Sequence, residues 1–288
     1  MCAPMLSLSF GLMAALAWAC HDLLVRKLAQ GGRILPMLLV VLLGGSAALA
    51  LPALLAGGWG AMTGAAIGWA MAAGIAYVAG AAGLYEALGR APVRLVAPIL
   101  GSYPMLSLGI AAAGGRAVAA IEWAAVACIV AGIGWVALGG REGGGGAVRG
   151  RPSSAFIWAG IGAAGFAATF ALGQEAARTG AVLPAIVVTR LTATAIVLGL
   201  CLATGRVAPA PGMTRTLVAM GCLDALALGL VTAAAGLAQP EYAAVASALF
   251  GVLTIILAWR ILDERVSPRQ WAGIAAVFGG IGVLSLQG

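Results

Sequence analysis

The chain has 288 residues, 62% of them hydrophobic and only 9% charged, with a formal net charge of +7. Soluble domains carry about 25% charged residues, so an ordinary water-soluble globule is excluded. Glycine is abundant at 44 residues, which suits helices packed closely in lipid.

The first apolar stretch begins at Met5 and runs about 20 residues, the length of a membrane span. It is too long and too lightly charged at its start for a signal peptide. It reads as a span that stays. Nine further apolar runs follow, which places spans near 5–25, 34–56, 62–86, 93–113, 122–140, 154–173, 183–204, 213–237, 241–260 and 268–286. The spacers are too short for a soluble domain. The low-complexity segment "GGREGGGGAVRGRPSS", Gly139 to Ser154, lacks the Lys-Ser/Thr and the preceding strand of a phosphate-binding loop. It is expected to be a flexible linker, with 141–153 joining a first half, 1–140, to a second, 154–288.

Sliding the chain on itself by 148 residues matches the halves without gaps. Pro36 falls on Pro184, Pro92 on Pro240, Trp123 on Trp271 and Leu138 on Leu286. Gly132, Ile133 and Gly134 fall on Gly280, Ile281 and Gly282. Five spans per half is an odd number, so the second half enters the membrane from the opposite side. The fold class expected is an all-α polytopic membrane protein of ten transmembrane helices, arranged as two inverted five-helix repeats. That is the architecture of secondary transporters.

Between the last two spans lies "RILDERVSPRQWAG", where Arg260, Asp263, Glu264, Arg265 and Arg269 crowd into ten positions. Ser267, Pro268 and Gln270 read as N-cap, first helical residue and partner of a capping box. The charges are expected to stay in water, with Trp271 as an interfacial anchor.

Charge orients the chain. The odd-to-even loops carry Arg26, Lys27, Arg33, Arg90, Arg94, Arg141, Arg149, Arg151, Arg206, Arg215, Arg265 and Arg269, with Arg260 at the edge. The other face has Arg116 and Arg178. The positive-inside rule makes the rich face cytoplasmic. Both termini are then expected outside an inner (plasma) membrane, and the excess charge needs no nucleic acid. Cys2, Cys20, Cys128, Cys201 and Cys222 show no C-x-x-C spacing.

The segment "PEYAAVASALFGVLTIILAWRILDERVSPRQWAGIAAVFGGIGVLSL" resembles the C-terminal signature of the EamA-type drug/metabolite transporters. It has an apolar span, a Glu-Arg loop ending in Pro, and a glycine-rich last span, with Glu264, Arg265, Pro268, Gly273 and Gly280 matching. The first-half copy departs, since Arg116 and Ala117 stand where the Glu-Arg pair would be. The resemblance implies export of amino acids or other small metabolites, driven by ion gradients or by the substrate gradient. It also implies a central cavity formed by spans 1, 3, 4, 6, 8 and 9.

On those spans the cavity-facing stripes would be Gly11, Ala14, Trp18, His21 and Val25 in the first, and Gly74, Tyr77, Ala81 and Tyr85 in the third. In the fourth, Pro98 and Pro104 bracket Gly101, Ser102 and Tyr103; each proline removes a backbone donor, and broken helices near the midplane mark transporter sites. Trp158, Phe166 and Phe170 add aromatic surface, and Ser247, Phe250 and Thr254 share a face. Packing or lipid contact is the plainer role for such aromatic stripes. His21 and Asp22 lie near the cytoplasmic end of their span, where an interfacial position competes with a ligand role. With one histidine in the chain, a His-based metal site or a Ser-His-Asp triad is not expected, and no cofactor is expected.

Asp224 lies about eleven residues, or on the order of 16 Å, into the eighth span. An ionised carboxylate at that depth costs at least about 2.5 kcal/mol, so it needs a partner, a wet cavity or a proton. Arg190, in the seventh span, is the deep cation that could pair with it; coupling or substrate recognition is the other role open to Asp224.

The expected function is export of small metabolites, foremost amino acids with aromatic or large apolar side chains, by alternating access. The partners are a small-molecule substrate and the lipid bilayer. A multidrug or nucleotide-sugar carrier is the alternative within transport. A membrane-embedded enzyme is the alternative outside it, although no cluster of catalytic residues supports one.

Overall fold

The computed structural model describes residues 3–31, 33–113, 115, 117–139, 152–234, 246–247 and 249–287. Among them every regular element is helical. The α-helices are α1 (Ala3–Leu28), α2 (Ile34–Ala56), α3 (Gly64–Arg90), α4 (Val93–Leu100), α5 (Tyr103–Ala113), α6 (Ala120–Gly139), α7 (Pro152–Thr179), α8 (Val182–Ala203), α9 (Thr214–Ala234), α10 (Phe250–Ile261) and α11 (Pro268–Gln287). Six of them, α1, α2, α3, α7, α8 and α9, are long and apolar enough to cross a membrane. Ala120–Val136 in α6 and Phe250–Ile261 are shorter apolar helices. Most of the glycine-rich linker, and the start of the span expected at 241–260, lie outside the described residues.

Local chemistry accounts for the boundaries. Thr63 caps α3 by accepting from the Ala66 amide at 3.1 Å. Gly57 and Gly58, with φ of 73° and 83°, make the turn after α2 in a backbone region that other residues rarely adopt. The fourth span is broken as the two prolines imply. α4 stops at Leu100, Gly101 and Ser102 form a turn, and α5 starts at Tyr103. Pro104 has no N–H to return to the preceding turn. At α11 the capping box is complete: the Ser267 amide donates to Gln270 Oε1 at 3.0 Å, and the Gln270 amide to Ser267 Oγ at 3.2 Å. Glu122 plays the same part for α6, accepting from the Ala119 amide at 2.8 Å.

Small residues let the helices approach. α3 packs along α7, where a Cβ on Gly83 would strike the Gly162 backbone and one on Gly165 the Gly80 backbone. α6 packs along α11. A Cβ on Gly132 would sit 2.8 Å from the Gly273 carbonyl and 2.8 Å from Val277, and one on Gly280 would sit 2.9 Å from the Ala125 carbonyl and 2.7 Å from Ile129. The second set is the first shifted by 148 residues. The Cys128 thiol donates to the Ala276 carbonyl at 3.4 Å, across a separation of 148. Gly280→Leu is therefore expected to cost about 1–3 kcal/mol by overpacking, measured as a lower Tm, whereas the same change at Gly282, which meets nothing within 4 Å, should be silent.

One expectation fails at the loop before α11. Its charges do not all stay in water. Glu264 is 3% exposed and Arg26 is 4% exposed. Arg26 Nε donates to Glu264 Oε1 at 2.7 Å, and the Val93 amide at the start of α4 donates to Glu264 Oε2 at 2.7 Å. Arg26 Nη1 also donates to the Leu88 carbonyl at 2.8 Å. The reason is local. α4 begins inside the protein with open N–H groups, and a buried guanidinium at the end of α1 needs a counterion. Asp263, at φ 53°, turns the chain so that Glu264 reaches both. Trp271 is partly buried, its ring edge against Trp259 at 6.5 Å.

Candidate functional site: a central aromatic cavity

A cavity of about 320 Å³ lies among α1, α2, α3, α7, α8, α9 and α10, beside the α4–α5 break. Helical spacing turns the right residues towards it. Trp18 and His21 stand one turn apart on α1, Tyr77, Ala81 and Tyr85 follow at four-residue steps on α3, and Phe166, Phe170 and Gln174 do so on α7. Tyr103 enters from the start of α5 and Phe250 from α10. The rings contact each other in pairs: Tyr103 with Phe170 at 5.0 Å, Tyr77 with Phe166 at 6.1 Å, and Trp18 with Phe250 at 6.1 Å between centroids.

Two polar clusters interrupt this wall. Arg190 Nη1 donates to Asp224 Oδ2 at 2.6 Å. Trp18 Nε1 donates to Asp224 Oδ1 at 3.0 Å, and the Tyr77 hydroxyl to Oδ2 at 3.2 Å. Arg190 is 2% exposed, and its guanidinium lies 5.9 Å from the Tyr77 ring centroid. Gly45 on α2 and Gly221 on α9 make the room, since a Cβ on Gly45 would run into the guanidinium. Beside this pair, His21 Nδ1 lies 3.0 Å from Asp22 Oδ1, and His21 Nε2 lies 3.3 Å from the Tyr85 hydroxyl. His21 and Asp22 are each 6% exposed, so they are buried among the helices.

Of the residues singled out in the sequence, Trp18, His21, Tyr77, Tyr103, Phe166, Phe170, Phe250, Arg190 and Asp224 line the cavity. Gly11, Ala14, Val25, Gly74, Gly101 and Thr254, expected on its stripes, are not among the lining residues, and neither are Ser102, Trp158 and Ser247. Ser102 turns its hydroxyl back to the Ile99 carbonyl at 2.6 Å. Trp158 lies under Arg90, 5.5 Å from its guanidinium. Ser247 is buried elsewhere. Thr169, Gln174 and Thr189 line the cavity without having been singled out; Gln174 extends the Phe166–Phe170 stripe by one turn, a signal already present in the sequence.

The lining runs as far as Ala177 and Val182, at the α7–α8 turn. At the other end it stops at Asp22 and Tyr85, below the Arg26–Glu264 contact. An apolar, aromatic chamber of this size can bind a small molecule.

An all-helical, multi-span fold around such a chamber is the architecture of a membrane transporter. Residues 153–286, which take in nearly all of α7 and α8 to α11, match the EamA-like transporter family. This second half is similar to the EamA-type drug/metabolite transporters. A protein of known crystal structure is 17% identical and aligns over 98% of this chain and 96% of its own, with a TM-score of 0.62; that likeness is one of fold. Among curated proteins, none matches this chain.

Proposed function

We propose that the protein exports small metabolites with an aromatic or large apolar body, amino acids foremost, across the inner membrane by alternating access. The observation that carries this reading is the ring of Trp18, Tyr77, Tyr103, Phe166, Phe170 and Phe250 around the cavity. Aromatic walls stabilise apolar and aromatic ligands by area burial and ring geometry. A nucleotide-sugar carrier would need free deep cations for phosphate, and Arg190 is held by Asp224. The mechanism needs no cofactor and no bond-making step.

Ten spans in two inverted halves, 1–140 and 154–288, give the motion a physical basis. α6 starts 148 residues before α11 and α2 starts 148 before α8, and the glycine contacts between α6 and α11 repeat at the same offset. Two halves with one packing scheme support two mirror-related states, one open to each face. On the charge bias the Arg26–Glu264 end is cytoplasmic and the α7–α8 end external, with both termini outside. A reporter fused after Gly288 should then be active only if it works outside the cytoplasm; cytoplasmic activity would reverse the orientation.

Uptake and counterflow of labelled L-phenylalanine in proteoliposomes test the substrate class. Tyr103→Ala and Phe170→Ala each remove a wall ring whose contact with an aromatic substrate would be worth about 0.5–1.5 kcal/mol. Transport should fall roughly three- to tenfold, with Tm nearly unchanged. Equal loss of Tm and transport in both variants would assign these rings to packing instead.

A further inference from the structure

The cavity wall holds two carboxylates, and they are partnered very differently. Asp224 receives a guanidinium, an indole N–H and a phenol, so its ionised form is matched by a full positive charge. Asp22 contacts the imidazole of His21, whose other nitrogen is taken up by Tyr85. Arg26, one turn along α1, is committed to Glu264. Facing the His21–Asp22 pair are Tyr77 and Tyr85 from α3 and Asp224 from α9, with Arg190 behind on α8. From α10 comes Phe250, against Trp18.

This arrangement has a protonation problem that Asp224 does not have. With His21 neutral and its Nδ1–H donated to Asp22, the pair carries one buried negative charge next to an already neutral Arg190–Asp224 pair. A buried uncompensated charge is costly. One further proton on the pair removes it. The Tyr85 hydroxyl suits both states, since it donates to a bare Nε2 and accepts from a protonated one.

We propose that Asp22, His21 and Tyr85 form a proton-binding site that couples transport to a proton gradient, with Asp224 a fixed anion that positions Trp18, Tyr77 and Arg190. This rests on the carrier function proposed above. One proton passes from cavity water onto the pair when the cavity faces one side. The same proton returns to water when it faces the other, and nothing else is consumed.

Two measurements on the full chain test the assignment. His21 is the one histidine in the chain, so isotope-labelled histidine reports on it alone. In lipid nanodiscs, the wild-type protein should bind one proton more on acidification than the Asp22→Asn/His21→Gln double variant, in step with the His21 nitrogen signals. No such step overturns the proposal, whether or not phenylalanine is carried. In proteoliposomes, Asp22→Asn and His21→Gln should each lose at least tenfold in phenylalanine accumulation driven by an imposed pH gradient with the voltage clamped, measured relative to that variant's own counterflow. Gradient-driven accumulation equal to wild type in both variants also overturns it. Proton uptake by wild type without any phenylalanine exchange would sink the aromatic-substrate reading and leave the proton site standing. Should Asp22→Asn fail to fold, His21→Gln carries both measurements.

Discussion

Asp224→Asn is expected to lower stability by about 3 kcal/mol or more, because it leaves the buried Arg190 guanidinium without its counterion. Arg190 is 2% exposed and its Nη1 lies 2.6 Å from the carboxylate. The Arg190 Nε and Nη2 atoms have no hydrogen-bond partner among the described residues. Arg190→Gln should cost a similar amount by stranding the carboxylate, which then keeps only the Trp18 and Tyr77 donors. The double variant should regain much of the loss, since two neutral amides avoid the burial cost. Melting temperatures of the three variants, with transport measured beside them, decide the point. A stable Asp224→Asn without transport would make this carboxylate functional rather than positional, and a stable, fully active one would remove both roles.

Glu264→Ala is expected to be as damaging, about 3–5 kcal/mol, although it alters a loop. The change leaves Arg26 buried without its counterion, and it takes the acceptor from the first amide of α4. Glu264→Gln should be milder, because an amide oxygen still accepts from Val93. Replacing Arg26 by Met together with Glu264→Ala should restore part of the Tm, since the stranded charge is then gone. A Glu264→Ala variant as stable as wild type would show that this end of the molecule is wet and that the contact contributes nothing. The contact ties the end of α1 to the start of α4 and to the segment after α10, one turn beyond Asp22 at the edge of the cavity lining.

What the linear sequence makes legible is whatever one helix decides alone. Apolar run lengths locate the long helices, because about 20 residues span the hydrocarbon core. Ser267 and Gln270 announce their own cap, since both partners lie within one turn. The break at Gly101–Ser102 lies where Pro104 cannot donate to the preceding turn, and the stripes through Trp18, Tyr77 and Phe166 follow from a period of 3.6 residues. The 148-residue match is legible for the same reason, as each half carries its own helix signals.

Partners across helices were decided elsewhere. Trp18 meets Asp224 across 206 residues, Tyr77 meets it across 147, and Arg26 meets Glu264 across 238. Such pairings depend on how far each helix is rotated and how closely it approaches its neighbours. The backbone contact of Gly80 and Gly83 with Gly162 and Gly165 sets that between α3 and α7. Ser102 and Trp158 occupy plausible stripes yet stand off the cavity, one bonded to its own turn and the other beneath Arg90. Glu264 reads as a surface charge in a polar loop. Only the fold brings an unpaired helix start and a buried arginine to within hydrogen-bond reach of it, and in a low-dielectric site those two contacts outweigh the water it gives up.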